Sequence, residues 1–160
     1  MNTDNTFTKR AHEENWLPVL ELAVEEVFEI MAGCRVKPVK ESAEQVKGEF
    51  TAMVGLAGAL CGIVTVCCDA EAARQIARCM LGSTADSEDQ VADALGEICN
   101  MIAGNFKNKL AGTDDRCLLS VPTVISGGEY TFHSLVEGEA IETVLMFEGA
   151  LVVVRLQLQN

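Results

Sequence analysis

The chain has 160 residues, enough for one domain with a proper core or for two small fused halves. Hydrophobic residues make up 49% and aromatic residues 5%, so a packed globule is expected, with a core of Val, Leu, Ile, Ala, Met and Cys. The formal charge of −12, from 24 acidic and 12 basic residues, opposes phosphate backbones and anionic lipid, which argues against nucleic acid and membrane surfaces as partners.

Residues 1–14 are polar and are expected to form a flexible N-terminal segment, with residues 15–160 as a single domain. From Trp16 to Met31, Leu17, Leu20, Val24, Val27, Phe28 and Met31 recur at helical spacing, with Glu21, Glu25 and Glu29 on another face; Gly33 ends this helix. Lys37-Pro38 opens an extended or looping link. Residues 46–68 read as two strands with a turn at Ala57-Gly58, and the second, apolar on both faces, is expected to be central in its sheet. Asp69 is an N-cap for a short helix that stops at Gly82. Ser87 and Gln90 form a capping box that opens the longest helix, over about 88–111, with Gly112 as its stop.

The remainder is β. CLLSVPTVISGG reads as a strand interrupted by a proline, EYTFHSLVEGEAIETVLMF as one or more strands, with His133 a strand residue, and Glu148-Gly149 as the turn into ALVVVRLQLQ. In that last run Val152, Val154, Leu156 and Leu158 alternate with Arg155, Gln157 and Gln159. Helix-then-hairpin occurs twice, which points to pseudo-duplicated units. The fold class is α+β, an antiparallel β-sheet packed by two long helices.

The seven cysteines are odd in number and lack a CxxC, and most lie in apolar segments. The two histidines, His12 and His133, are not in zinc-ligand spacing. Reduced core cysteines are expected, and no metal or cofactor of the protein's own. With no apolar signal core and no apolar window long enough to span a bilayer, the expected location is cytoplasmic.

The longest helix carries the functional signal. With successive residues about 100° apart, Val91, Leu95, Ile98, Ile102 and Phe106 fall on one stripe, and Asp93, Glu97, Asn100, Gly104 and Asn108 on the opposite one. Asn100 is a poor helix former at mid-helix, and Gly104 costs about 1 kcal/mol relative to Ala. The outer stripe thus offers a carboxylate and a carboxamide one turn apart, beside a bare spot that another backbone could approach. On periodicity alone a plain charged, solvated face remains the stronger reading.

Asp93-x3-Glu97-x2-Asn100, followed by Pro122 after 21 intervening residues, resembles the signature of the CheC/CheX/FliY phosphatases of bacterial chemotaxis, whose proline stands about one residue further on. The segment EICNMIAGNFKNKL and the order of elements over residues 15–158 are also similar to that family. CheC-like members resemble a duplication with a second Glu-x2-Asn on the first helix. Here Glu25 is followed at the Asn position by Phe28 and Glu29 by Ala32, so one site per chain is expected. This is similar to the CheX branch, whose members pair through a shared β-sheet into a homodimer.

The resemblance implies an aspartyl-phosphate phosphatase acting on a CheY-like receiver domain that supplies its own Mg²⁺ and lysine. What is left to the phosphatase is to place a water in line with phosphorus. By resemblance, Asn100 orients that water and Glu97 pairs with the receiver lysine, while Asp93 caps or orients the stripe. Gly104, outside the motif, is expected to permit close approach. A receiver-binding or dimerisation module without catalysis is the alternative on the same fold. Serine or cysteine hydrolase chemistry is disfavoured, since no GxSxG occurs and no nucleophile accompanies the histidines.

Overall fold

The structure is a computed structural model that describes residues 16–82, 84, 86–110, 117–128, 130–138 and 140–159. The expected N-terminal segment and the expected stop at Gly112 lie outside these residues. Helix α1 spans Trp16–Ala32. It ends where Gly33 turns to a φ of 65°, a left-handed residue just past the helix, and the Cys34 N–H donates to the Phe28 carbonyl at 3.3 Å. Leu20, Val24, Val27 and Phe28 are buried as the spacing requires, whereas Leu17 is exposed.

The strands are β1 (Lys37–Pro38), β2 (Phe50–Gly58), β3 (Gly62–Cys68), β4 (Cys117–Leu119), β5 (Thr123–Ser126), β6 (Ala140–Phe147) and β7 (Ala150–Leu158). Helices α2 (Ala70–Leu81) and α3 (Glu88–Lys109) lie between β3 and β4. Every strand pairing among the described residues is antiparallel, in the order β1-β6-β7-β3-β2-β4, with β5 also on β2. The apolar β3 is central, as its composition demands.

The hairpin turn differs from the expectation. Ala57 and Gly58 are the last residues of β2, still paired with Leu118 and Cys117, and the chain turns at 59–61. Cross-strand pairing to β4 extends β2 past the residues whose composition suggested a turn. At the start of β3, Gly62 stands opposite Leu158. A Cβ built there would lie 2.2 Å from the Gln157 carbonyl oxygen, so the close approach of β3 to β7 admits no side chain.

Strand alternation divides the sheet. Ala52, Val54, Val64, Val66, Leu145, Phe147, Val152, Val154 and Leu156 are fully or almost fully buried beneath the helices. Trp16 meets Phe106 edge-on at 6.2 Å and Phe28 meets Phe147 at 5.4 Å, joining α1 to α3 and to β6. The other face carries Thr51, Thr65, Arg155 and Gln157. Residues 130–138 cross it without regular structure: Tyr130 and Thr51 share a 2.8 Å hydrogen bond, and the Gln157 amide donates to the Val136 and Gly138 carbonyls. His133 therefore lies in an irregular segment and not in a strand, because side chains of the sheet replace a strand ladder as the partners of that backbone.

Candidate active site

Helix α3 starts where the sequence places it. The Gln90 N–H donates to Ser87 Oγ at 3.2 Å and the Ser87 N–H donates to Gln90 Oε1 at 3.3 Å, a complete capping box. Glu88 and Asp89 in the first turn and Lys107 and Lys109 in the last complement the helix dipole. Val91, Leu95, Ile98, Ile102 and Phe106 are buried, and this inner stripe fixes the rotation of the helix.

That rotation carries the opposite stripe outward. Asp93, Glu97 and Asn108 are exposed, while Asn100 and Gly104 are half-buried. Among the described residues, the side chains of Asp93, Glu97 and Asn100 make no hydrogen bond or ion pair. Asn105 behaves differently. Its Nδ2 donates to Glu26 Oε2 at 2.9 Å and to the Ala23 carbonyl at 3.3 Å, while Lys109 Nζ stands 2.8 Å from the same Glu26 oxygen. Lys109 first, then Asn105, hold the Glu26 carboxyl below its ordinary range. One asparagine of α3 is thus spent on holding α1, and another is left presented.

One flank of α3 faces β4 and β5. Lys107 Nζ donates to the Cys117 carbonyl at 2.7 Å, a Cβ built on Gly104 would stand 3.8 Å from Leu119, and one built on Gly96 would stand 3.4 Å from Pro122 and 3.3 Å from Val124. The chain therefore runs antiparallel along the helix, and residues 120–121 pass the turn that carries Asn100. Part of the bare surface at Gly104 faces Leu119 of the same chain, at ordinary contact distance. Pro122 lies between β4 and β5, as expected of a strand broken by a proline.

On α1, Phe28 is fully buried and Ala32 nearly so, so neither position presents a side chain beside Glu25 or Glu29. Among the described residues no group of three or more His, Cys, Asp or Glu side chains could hold a metal ion, and no helix is long and apolar enough to cross a membrane. Sequence reasoning missed Gly96, Glu26 and Asn105. Gly96 carried the signal that drew attention to Gly104, a glycine inside a helix; the pairing of Glu26 with Asn105 had none, being set by how two helices cross.

The family model described as chemotaxis phosphatase CheX matches residues 50–145, more than half of the chain. The chain belongs to the CheX family. CheX from Vibrio vulnificus is similar at 25% identity, with a TM-score of 0.77 over 91% of this chain and 97% of that one. A chain of the CheX–CheY–BeF3–Mg2+ complex from Borrelia burgdorferi is similar at 25% identity and TM-score 0.75, over 91% of this chain and 99% of that one. A chemotaxis protein from Desulfovibrio vulgaris Hildenborough, at 23% identity and TM-score 0.78 over 92% and 98%, shares the fold. No curated protein matches the chain. The family's α+β architecture, an antiparallel sheet under helices, is the one expected from the sequence.

Proposed function

We infer that this member of the CheX family hydrolyses the aspartyl phosphate of a CheY-like receiver domain in chemotaxis or related two-component signalling. The observation that carries the reading is the outer face of α3, where an exposed Glu97 and a half-buried Asn100 stand three residues apart with no partner among the described residues. The Borrelia burgdorferi relative, crystallised with CheY, BeF3 and Mg2+, supports a receiver as the partner.

The chemistry asks little of the phosphatase. A water oxygen bonds to phosphorus as the acyl-phosphate P–O bond breaks; the electron pair goes to the receiver's aspartate carboxylate, and the water's proton to the released phosphate. Mg²⁺ and a lysine belong to the receiver. Asn100 supplies a neutral carboxamide that holds the water in line, a role that a carboxylate would fill poorly beside phosphate. Glu97, one turn earlier, pairs with the receiver lysine and fixes the register. Asp93 supports the same stripe, and Gly104 leaves α3 low where the partner approaches.

One continuous hydrophobic cluster that draws on α1, β2, β3, α2, α3, β6 and β7 supports residues 15–160 as a single phosphatase domain. The reading includes a homodimer joined through the β-sheet, each protomer presenting one α3 site, and a cytoplasmic location shared with the receiver. Phosphate release from a phosphorylated receiver, with the wild type and with Asn100→Ala, tests it. Acceleration by the first and none by the second is the expected result.

A further inference from the structure

Gly96 is buried and directly precedes Glu97. The distances from its built Cβ to Val124 Cγ2 and Pro122 Cβ, 3.3 and 3.4 Å, are tighter than side chains normally pack. The turn of α3 that carries Glu97 and Asn100 therefore rests on the start of β5 with no side chain between them. The support beneath it is itself held. The Ser120 N–H donates to the Gly55 carbonyl at 2.9 Å and the Gly55 N–H donates to Ser120 Oγ at 2.8 Å, so two hydrogen bonds tie the chain to β2 just before the step at Val121-Pro122. Pro122 has a fixed φ and no N–H, which stiffens that step, and ladder pairing resumes at Thr123 opposite Met53.

We propose that the contact of Gly96 with Pro122 and Val124 is a positioning device that sets how far the Glu97–Asn100 turn stands from the sheet edge, and so how deep Asn100 reaches into the receiver. The proposal rests on the phosphatase reading above. A glycine inside a helix costs about 1 kcal/mol relative to Ala, and here it gives the closest seating of helix on strand. A methyl group at Gly96 requires Val124 and Pro122 to give by a few tenths of an ångström, or the helix to lift by as much. Misplacement of a catalytic group by about 1 Å costs on the order of a hundredfold, so even this small shift is felt in the reaction. Gly96 touches no substrate; it acts through Asn100 and Glu97.

The test uses Gly96→Ala and the double variant Gly96→Ala/Val124→Ala, in which the Val124 methyl nearest the new Cβ is removed. The expected result is a folded Gly96→Ala protein with kcat for phosphate release lowered about tenfold, and recovery of most of that loss in the double variant. A merely structural role would not give recovery, because the second substitution removes further packing. Pro122→Gly, which empties the seat without crowding the helix, is expected to lower kcat as well. Wild-type kcat in folded Gly96→Ala, no recovery in the double variant, or wild-type kcat in folded Pro122→Gly would overturn the proposal. If the wild type is active and Asn100→Ala is not, such a failure removes the seat alone; an inert wild type removes both readings.

Discussion

Asn105 of α3 donates a 2.9 Å hydrogen bond to Glu26 of α1, and Lys109, one turn further along α3, closes on the same carboxylate oxygen at 2.8 Å. These contacts couple the helix that carries the candidate site to a helix that carries none. Because the Glu26 carboxyl is held below its ordinary value, the stability it contributes is fully present above the unfolded-state pKa of about 4.3 and is lost as pH falls through the lowered folded-state value. Glu26→Gln is expected to lower the melting temperature at pH 7 and to weaken its fall on the acid side, so that the two curves converge as pH falls through the lowered folded-state value. Melting curves that superimpose from pH 7 into the acid range would show that the pin contributes nothing to stability.

Close approach of β3 to β7 gives a second expectation. Gly62→Ala places a methyl group 2.2 Å from the Gln157 carbonyl oxygen and 2.9 Å from Leu158 Cα, backbone atoms with no rotamer to move. Destabilisation of about 1–3 kcal/mol is expected from overpacking of this kind. Chemical denaturation measures it, and a change below about 0.5 kcal/mol would mean that the two strands separate freely at that end.

The longest helix was legible because its inner stripe and its cap are local. Val91, Leu95, Ile98, Ile102 and Phe106 repeat at the helical period, Ser87 and Gln90 lie three residues apart, and together they fix both the start of α3 and the face it shows. What surrounds Asn100 was not legible. The Gly96–Pro122 contact joins residues far apart in sequence and depends on how β4 and β5 pair with β2, which no local pattern encodes. The segment 130–138 failed for a related reason. Tyr130, Phe132 and Val136 have strand-like character, yet their chain crosses the sheet face and its partners are side chains of other strands.

Five of the seven thiols should separate by environment. Cys61 is exposed, whereas Cys68, Cys99 and Cys117 are buried, and burial pushes the Cys99 thiol up to about 12 and raises that of Cys68. Cys34 is half-exposed, but it donates to Glu148 Oε1 at 2.6 Å, which raises its thiol to about 11. With a disulfide reagent at pH 8, Cys61 should label first, Cys34 slowly, and Cys68, Cys99 and Cys117 only on unfolding. Glu148→Gln should speed Cys34 labelling; an unchanged rate would remove the carboxylate as the cause.

Removing the cap of α3 offers a check on how the site helix is started. Ser87→Ala deletes the acceptor of the Gln90 N–H and should cost about 1 kcal/mol in denaturant unfolding. Phosphate release should be largely retained, since the cap lies more than two turns before Glu97.

In the proposed reaction Asn100 does chemistry and Glu97 recognition. The direct measurement is single-turnover phosphate release from a phosphorylated receiver in Mg²⁺, compared among no addition, wild type, Asn100→Ala and Glu97→Ala. Acceleration is expected from wild type, none from folded Asn100→Ala even at saturating concentration, and a weakened complex from Glu97→Ala. Equal rates for wild type and Asn100→Ala, or a receiver that binds wild type and keeps its phosphate as long as it does alone, would contradict it.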